Sequence, residues 1–427
     1  MKCLLINPWI EDFAAFNFWI RPLGLYQLSE WLWERGTEVA MLDCLSPAEA
    51  PSKFPRAVIS APPALKHFGR TFARYGIDEK LFEKRLKEAL PFDAVLVTSA
   101  MSYWYPGVVS AIRKVRQIVP ETPVVLGGIY PTLWPEHAGS HSGADLVLAG
   151  PIESNTAELA GFLGLPGEPV RKRLKWYEIG LHDHAPFGAI RTARGCPFNC
   201  TYCASGKISG GFRPRTPEAV SRELNHLYRM GVRDIAFYDD ALLVDFKKHL
   251  LPVLTNLVAS DKRFRFHTPN GMHAKLLDQE AAAWMNRAGF STYRLSLETI
   301  NRARQKSTGN KVSAAELEDA VKCLSAAGVP RSAVGVYLLM GLDGQSIEEV
   351  RDGIRFVRSL GIRPYLSEFS PIPGTTEWEK LESAGICSRD MDPVLTNNTV
   401  FVRLFSGYTE TQLFSLKQMC LEALETT

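Results

Sequence analysis

Residues 194–203 read RGCPFNCTYC and place Cys196, Cys200 and Cys203 in C-x3-C-x2-C spacing. Three thiolates this close in sequence can bind one small metal centre. A closed structural zinc site and a filled four-thiolate iron–sulfur cluster each use four protein ligands. Three cysteines would therefore leave one iron of a [4Fe–4S] cluster open to a substrate or cofactor. A zinc knuckle, completed by a distant Cys or His, is the alternative that the spacing leaves open.

Composition indicates an ordinary soluble globular protein. The 427 residues are 46% hydrophobic and 22% charged, and a net charge of +3 gives no reason to expect nucleic-acid or membrane binding. The N-terminal apolar run is too short for a signal peptide, and no stretch reaches membrane-spanning length. We therefore expect a cytoplasmic protein whose clustered thiols are metal ligands and not disulfides. The other five cysteines are interpreted as small buried hydrophobic residues: Cys3, Cys44, Cys323, Cys387 and Cys420.

The first 165 residues alternate short apolar runs with amphipathic stretches. Residues 23–35 and 78–90 have helical spacing, and 46–76 is a basic, proline-rich stretch that we expect to be a long excursion. Alternation of strands and helices predicts a doubly wound parallel sheet of α/β class. The predicted strands are residues 2–7, 38–42, 94–98, 123–126 and 145–148.

In such a sheet, ligands bind beyond the carboxyl ends of the strands. The loops expected there are rich in aromatic residues, and Gly127 and Gly128 would allow the backbone to approach a ligand closely. The aromatic residues could instead pack a domain interface, and the two roles are compatible. The four loops are residues 9–22, 99–107, 127–137 and 149–155.

Strand–helix alternation resumes after a predicted linker at 166–187. One strand candidate, 291–297, alternates so that Arg294 and Ser296 share a face with Glu298, and a buried polar face needs polar partners. An amphipathic helix is expected at 410–424. The six predicted strands are 189–193, 234–238, 265–268, 291–297, 332–339 and 364–369, and the main predicted helices are 216–230, 314–327 and 346–360.

The cysteine motif, with its RGCP lead-in and Tyr202 before the last cysteine, resembles the radical S-adenosylmethionine (SAM) superfamily. The resemblance implies a partial (β/α)6 TIM barrel over residues 188–385. It also implies a [4Fe–4S] cluster on Cys196, Cys200 and Cys203, bound SAM, and an electron donor such as flavodoxin or ferredoxin.

The N-terminal part resembles the Rossmann-like cobalamin-binding domain of B12-dependent radical SAM enzymes. The matching words are RPLGL at 21–25, RGTEV at 35–39 and VLGG at 125–128. No Asp-x-His-x-x-Gly follows the first strand, which implies base-off binding without a protein histidine, or no cobalamin. His137 is the one histidine in the four loops. The sequence GPIE at 150–153 stands where many relatives have the motif Gly-Glu-Gly-Glu. The implied domains are 1–165 for cobalamin, 188–385 for the SAM core and 386–427 for a C-terminal helical extension.

The resemblance also implies site residues. Asp239 and Asp240 follow the second barrel strand, where paired acids of relatives face the cavity; helix N-capping is their structural alternative. The implied SAM-binding residues are Tyr202, Ser296, Glu298, Gly341 and Pro371. The implied cobalamin-binding residues are Trp9, Ser99, Tyr103, Trp104, Gly127, Gly128, Tyr130 and Glu153. The candidate catalytic residues are Tyr238, Asp239 and Asp240.

The implied function is a methyltransferase that methylates an unactivated carbon through a 5′-deoxyadenosyl radical and methylcobalamin. The alternative is a radical SAM enzyme of the same fold that performs a rearrangement, cyclisation or coupling, with or without cobalamin. A non-enzymatic iron–sulfur or zinc protein that binds a partner through the aromatic loops is a third interpretation. A methylthiotransferase is disfavoured because it normally uses a second cluster. The substrate class stays open among small molecules, lipids and peptide side chains.

Overall fold

The computed structural model describes residues 1–45, 54–181 and 186–423. These residues form two compact units. The first unit contains Met1–Pro186 together with Arg389–Asn397, and the second contains Phe187–Ser388 together with Asn398–Thr427. No helix among the described residues is both long enough and apolar enough to cross a membrane.

The first unit is built on a five-stranded parallel sheet. Its strands and helices alternate as the apolar periodicity predicts, because strand residues are buried on both faces by flanking helices. The strands of this unit are β1 (Lys2–Asn7), β2 (Ile10–Asp12), β3 (Glu38–Asp43), β4 (Arg56–Val58), β5 (Ala73–Tyr75), β6 (Ala94–Val97), β7 (Val124–Leu126) and β8 (Leu146–Val147). Its helices are α1 (Leu23–Glu34), α2 (Glu79–Glu88), α3 (Tyr105–Ile118), α4 (Ile129–Leu133), α5 (Pro135–His141), α6 (Ile152–Leu163) and α7 (Trp176–Ile179).

The strand order of this sheet is β3-β1-β6-β7-β8, with every neighbouring pair parallel. The order reverses between β1 and β6, which makes that position the topological switch point where doubly wound sheets bind ligands. The sheet core includes Leu5, Leu96 and Val125, packed against Leu25 and Leu32 of α1. The loops after β1, β6 and β7 therefore meet at one edge of the sheet.

A second, antiparallel sheet of order β2-β5-β4 lies within segments that the sequence analysis treats as loop and excursion. Each of its strands has three residues. Three residues are too few to show an alternation, so periodicity could not reveal this sheet. Residues 46–53 of the predicted excursion lie outside the described residues.

The second unit contains the cysteine motif. Its strands are β9 (Phe187–Ile190), β10 (Ala193–Arg194), β11 (Arg213–Pro214), β12 (Asp234–Phe237), β13 (Arg265–His267), β14 (Met272–His273), β15 (Phe290–Glu298), β16 (Val334–Met340) and β17 (Arg363–Glu368). Its helices are α8 (Ser205–Ile208), α9 (Pro217–Arg229), α10 (Leu250–Val258), α11 (Gln279–Ala288), α12 (Arg302–Ser307), α13 (Ala314–Ala326), α14 (Ile347–Ser359), α15 (Thr376–Ser383), α16 (Asn398–Phe405) and α17 (Glu410–Leu421).

Six strands of this unit pair in chain order, β9-β12-β13-β15-β16-β17, and each pair is parallel. Long helices connect them, as expected for right-handed β–α–β crossovers. This is the predicted partial (β/α)6 barrel. Because all six strands run the same way, their carboxyl ends share one edge, where sites of barrel enzymes lie.

The chain returns late to the first unit through residues 389–397. Asn397 donates its amide to Asp12 Oδ1 at 2.9 Å, and the hydroxyl of Tyr105 donates to Asp392 Oδ2 at 3.1 Å. Asp12 is buried, which raises its pKa to about 6. The C-terminal extension predicted at 386–427 therefore contributes residues to both units, and the predicted helix at its end is α17, which closes at Leu421.

Candidate functional site

The three cysteines lie on the loop between β10 and α8, which we call the cluster loop (residues 195–203). Cys203 is exposed, and Cys196 and Cys200 are half-buried. Burial raises the pKa of the Cys196 and Cys200 thiols, and the nearby ammonium of Lys311 opposes this for Cys200. Thiols that reach the surface of a short loop beside a buried cation suit a cluster of soft metal ions. Across the described parts of the chain, no three His, Cys, Asp or Glu side chains converge tightly enough to hold a single metal ion.

Two neighbouring segments hold the middle of the cluster loop. The hydroxyl of Thr201 donates to Glu377 Oε1 at 2.7 Å, and the Glu377 N–H donates to the Thr201 carbonyl at 3.1 Å. The Thr201 N–H in turn donates to the carbonyl of Thr308 at 3.3 Å. The loop is thereby tied to the start of α15 and to the end of α12.

Asp239 and Asp240, two of the three candidate catalytic residues, follow strand β12. Asp239 contacts the segment before the cluster loop, and Asp240 contacts the first residue of the loop and Ser205 just after it. Asp239 Oδ1 accepts from the Thr192 N–H, the Thr192 hydroxyl and the Ala193 N–H at 2.9, 2.7 and 2.6 Å. Asp240 accepts from the Gly195 N–H at 3.1 Å and from the Ser205 hydroxyl at 3.2 Å. Burial raises the pKa of Asp239 to about 6, although these hydrogen bonds oppose the rise.

Two tyrosines of the candidate site are mostly shielded from water. Tyr202, between the second and third cysteines, has its pKa raised by burial and by the nearby carboxylate of Glu298. Tyr238, the third candidate catalytic residue, follows β12 directly, and burial raises its pKa as well. Both phenols therefore stay protonated at neutral pH.

Ser296 and Glu298 lie at the carboxyl end of β15. Ser296 is buried, and the pairing with β16 shifts register between Ser296 and Glu298. The shift follows from the backbone of Glu298, which has a φ of +69°, and it interrupts the simple alternation expected from the sequence. Glu298 Oε1 accepts from the Lys311 ammonium at 2.9 Å.

Gly341 and Pro371 end the next two barrel strands. Gly341 follows β16 with a φ of +89°, and a Cβ placed there would lie 2.5 Å from Val402 Cγ2 of α16. Its N–H donates to Gln345 Oε1 at 2.9 Å. Pro371 is buried in the turn after β17. Tyr202, Ser296, Glu298, Gly341 and Pro371 thus all lie at the carboxyl edge of the barrel sheet, and their role in SAM binding stays a prediction.

In the first unit, Ser99, Gly127 and Gly128 come together at the sheet edge. The Ser99 hydroxyl donates to the Gly127 carbonyl at 3.0 Å and accepts from the Tyr130 N–H at 3.1 Å. Gly128 has a φ of +103°, and a Cβ there would lie 2.4 Å from the Ser99 carbonyl oxygen. A Cβ at Gly127, in contrast, would meet nothing within 4 Å. Gly128 is therefore needed for the close packing of its backbone against Ser99, whereas the space beside Gly127 is unoccupied by protein atoms.

The aromatic residues of these loops divide into buried and partly open groups. Trp9 and Tyr130 are 1% and 0% exposed, and Trp9 donates its indole N–H to the Ile77 carbonyl at 2.7 Å. Trp104 is half-buried and donates its indole N–H to Asp12 Oδ2 at 2.6 Å, while Tyr103 beside it is half-buried. Trp9 and Tyr130 form part of the protein core, so Tyr103, Trp104 and the backbone at Gly127 are the predicted residues left to face a ligand.

The remaining predicted residues of this edge are charged or titratable. Glu153 opens α6, and Gln27 of α1 donates to it at 2.6 Å. His137 Nδ1 lies 2.6 Å from the Tyr130 hydroxyl, and its ring stacks on His141 with centroids 4.1 Å apart. Burial lowers the pKa of His137 to about 4, so its imidazole is neutral at pH 7. A neutral imidazole meets the chemical requirement for a metal ligand.

Sequence reasoning missed Lys311 beside the cluster loop, since no pattern set it apart from other lysines. His273 also lies beside this loop, with its ring centroid 4.4 Å from that of Phe198. Burial lowers the pKa of His273 to about 3. Both residues are brought to the loop by tertiary structure, since they lie at least 70 residues away from it in sequence.

Comparison with known sequences gives a family match within the second unit and individual relatives that match a longer part of the chain. Residues 190–357 match the Radical SAM superfamily. The uncharacterized methyltransferase PH0819 of Pyrococcus horikoshii is 26% identical over 323 residues, which cover 67% of this chain and 69% of that protein. Hopanoid C-2 methylase of Rhodopseudomonas palustris is 26% identical over 219 residues, 49% of this chain, and this chain spans only 40% of that methylase.

Comparison of structures extends the likeness to both units. The radical S-adenosylmethionine methyltransferase TsrM from Kitasatospora setae, solved with its tryptophan substrate and a SAM analogue, matches with a TM-score of 0.67. The match covers 90% of this chain and 76% of TsrM at 18% sequence identity. At this identity the likeness establishes the fold. It confirms the predicted combination of a doubly wound N-terminal sheet with a partial (β/α)6 barrel.

Proposed function

We propose that this chain is a cobalamin-dependent radical SAM methyltransferase that acts on an unactivated carbon, in keeping with the match of residues 190–357 to the Radical SAM superfamily. The observation that carries the proposal is the pairing of two sites in one chain. The barrel edge presents a loop whose sequence, from 195 to 203, holds three cysteines, and the sheet of the first unit has a topological switch point between β1 and β6. The methyltransferase names of similar proteins support the same class.

The residues of the second unit suit an open iron–sulfur cluster with SAM. The cluster loop supplies three thiolates, and the buried ammonium of Lys311 offsets part of their negative charge. Ser296 and Glu298 would bind the ribose and aminoacyl groups of SAM, and the backbone at Tyr202 would meet its adenine. Hydrogen bonds to the carboxylate and hydroxyls of a bound cofactor replace the water lost on binding.

The residues of the first unit suit cobalamin bound without a strong protein ligand. Gly127 leaves open space after β7, and the adjacent Tyr103 and Trp104 offer aromatic faces at the switch point. The proposed binding mode has no histidine ligand, because no Asp-x-His-x-x-Gly motif follows the first strand. TsrM, whose fold this chain shares, has been solved with cobalamin and a [4Fe–4S] cluster bound.

When bound, these groups supply the one-electron chemistry that removes hydrogen from an unactivated carbon, together with a methyl group for transfer. The protein's own task is to bind them, orient the substrate and exclude water. The largely buried phenols of Tyr202 and Tyr238 and the buried Ser296 would limit water at the barrel edge. A flavodoxin or ferredoxin would supply the electrons, and the substrate would be a small molecule, a lipid or a peptide side chain.

The first test is cobalamin retention. The protein is reconstituted anaerobically with iron, sulfide and hydroxocobalamin and then desalted, and bound cobalamin is quantified from its absorbance. We expect near-stoichiometric retention by the wild type. The Gly127→Leu variant should keep its fold, because the space above Gly127 is open, and should lose cobalamin because leucine fills that space. Gly161→Leu is the matched control, since Gly161 also faces open space but lies on α6.

The second test is the set of products formed from SAM. A methyltransferase of the proposed kind forms both 5′-deoxyadenosine and S-adenosylhomocysteine. Protein that retains its iron–sulfur cluster and forms 5′-deoxyadenosine, but binds no cobalamin, would refute methyl transfer and favour a rearrangement, cyclisation or coupling. Protein that binds zinc and no iron would refute radical chemistry altogether.

A further inference from the structure

The two acids after β12 are placed beside the cluster loop by the pairing of strands. Strand β12 pairs in parallel with β9, and Phe237 lies opposite Ile190. The residues that follow both strands therefore emerge side by side at the same edge of the sheet. Asp239 and Asp240 come from one strand and the cluster loop from its neighbour, which explains why they meet.

Asp239 anchors the segment that leads into the loop. It is 3% exposed, and its Oδ1 accepts from three donors on Thr192 and Ala193, while its Oδ2 lies 3.1 Å from the Thr192 N–H. A buried carboxylate is costly unless it is hydrogen-bonded, and the buried N–H groups of 192 and 193 need an acceptor equally. Both carboxylate oxygens accept hydrogen bonds and the residue is almost fully buried, so Asp239 is not accessible to a substrate.

Asp240 joins the two sides of the loop. One carboxylate oxygen accepts from the Gly195 N–H, just before the first cysteine. The other accepts from the hydroxyl of Ser205, two residues after the last cysteine. The Ser205 N–H is 3.4 Å from the Cys203 sulfur, so the residue that Asp240 holds is itself in contact with a candidate ligand.

We propose that Asp239 and Asp240 are positioning residues that clamp the cluster loop at its entry and across its ends, and so fix the three thiolates for the cluster. The inference rests on the proposed function, since it requires an iron–sulfur cluster on these cysteines. It replaces the catalytic role implied by the resemblance with one that acts through the metal ligands. Partners of metal ligands typically change metal affinity by about 10- to 100-fold when they are removed.

The test compares Asp239→Asn and Asp240→Asn with Asp234→Asn. Asp234 begins the same strand β12, pairs with Arg265 and His267, and lies at the opposite end of the strand from the two acids, about 10 Å from Phe237 at 3.3 Å per residue. All proteins are reconstituted anaerobically with iron and sulfide. Two quantities are measured: the rate at which bathophenanthroline removes iron, and the midpoint potential of the cluster followed by electron paramagnetic resonance.

For Asp239→Asn we expect iron to be removed at least about 10-fold faster than from the wild type, because the amide loses the negative charge and replaces the Oδ2 acceptor, which faces the Thr192 N–H, with a donor. For Asp240→Asn we expect a more positive midpoint potential, because a negative charge near the cluster disfavours its reduction. Asp234→Asn should match the wild type in both quantities. A merely structural role for Asp240 would leave the midpoint potential of the surviving cluster unchanged.

A milder variant covers the case in which Asp239→Asn fails to fold. Thr192→Val removes the hydroxyl donor alone, and Thr192→Ser restores it, so the first should release iron faster and the second should not. If both Asp variants hold iron as the wild type does, with an unchanged potential, but no longer cleave SAM, the clamp is refuted. If the wild type itself binds no iron, the proposed function fails instead.

Discussion

The ammonium of Lys311 lies 2.9 Å from Glu298 Oε1, and the two side chains are only 16% and 12% exposed. The pair sits beside the cluster loop, since the charge of Lys311 acts on the thiols of Cys200 and Cys203. Because Glu298 is also a candidate SAM ligand, Lys311 supports both the carboxylate and the thiolates of the proposed site.

Replacing Lys311 by Met should leave the Glu298 carboxylate buried without its cation. Breaking a buried ion pair from one side typically costs about 3–5 kcal/mol. We therefore expect the free energy of unfolding, measured by urea denaturation of the metal-free protein, to fall by about that amount. Lys322→Met is the control, because Lys322 and its partner Asp319 are both more than 70% exposed, and solvent screens the attraction between exposed charges. Equal losses in the two variants would contradict the prediction.

Each cluster-loop cysteine should be required for iron. Cys196→Ser, Cys200→Ser and Cys203→Ser each remove one of three thiolates, and we expect reconstituted protein to lose most of its iron and its brown absorbance. Cys323→Ser is the matched control: this thiol lies on α13, outside the loop, and its loss should leave the iron content unchanged. Full iron binding by any loop variant would show that the three cysteines do not all bind the cluster.

Gly341→Ala should destabilise the second unit more than Gly344→Ala. Both glycines have positive φ, +89° and +63°, so both substitutions carry a backbone penalty of about 1–2 kcal/mol. Only at Gly341 would the added Cβ also clash with Val402, and overpacking typically costs a further ~1–3 kcal/mol. The difference is measured by urea denaturation. Adding Val402→Ala should recover part of the loss in Gly341→Ala, and a purely additive double variant would contradict the steric explanation.

His273 should make the folded protein sensitive to acid. Burial lowers its pKa from an ordinary value of 6.5 to about 3, so between these values the unfolded chain binds a proton that the folded chain does not. The stability that this group provides is thus complete above pH 6.5 and is lost as the pH falls toward 3. Relative to the wild type, His273→Gln should reduce the pH dependence by up to about 1.4 kcal/mol per pH unit between pH 6 and 5.

The measurement is urea denaturation of the metal-free wild type and variant at pH 7.5, 6 and 5. Other titrating groups contribute equally to both proteins, so the difference between the two slopes isolates His273. Parallel slopes would show that the imidazole is accessible to protons in the folded state.

The sequence alone was enough to locate the main strands along the chain. Buried parallel strands appear as apolar runs in the sequence. For β1, β6, β12 and β16, the predicted bounds lie within a few residues of the observed ones. The cysteine spacing likewise identified the cluster loop, because ligands for one metal centre lie within eight residues. These features are local, so a local pattern is sufficient to reveal them.

Tertiary structure decided which of the predicted residues are free to act. Trp9 was predicted to face a ligand, but the fold places it in the core against Ile77. Asp239 was predicted beside the cavity, and strand pairing places it on the backbone of Thr192. Asn397 reaches Asp12 across 385 positions of sequence.

The physical reason is that burial and hydrogen bonding depend on contacts between residues far apart in sequence. Strand and helix patterns and the spacing of metal ligands, in contrast, depend on residues that are close in sequence. The sequence therefore determined the class of fold and the metal-binding loop. The tertiary structure determined that Gly127 is open while Gly128 is filled, and that Lys311, Asp239 and Asp240 surround the loop that the cysteines define.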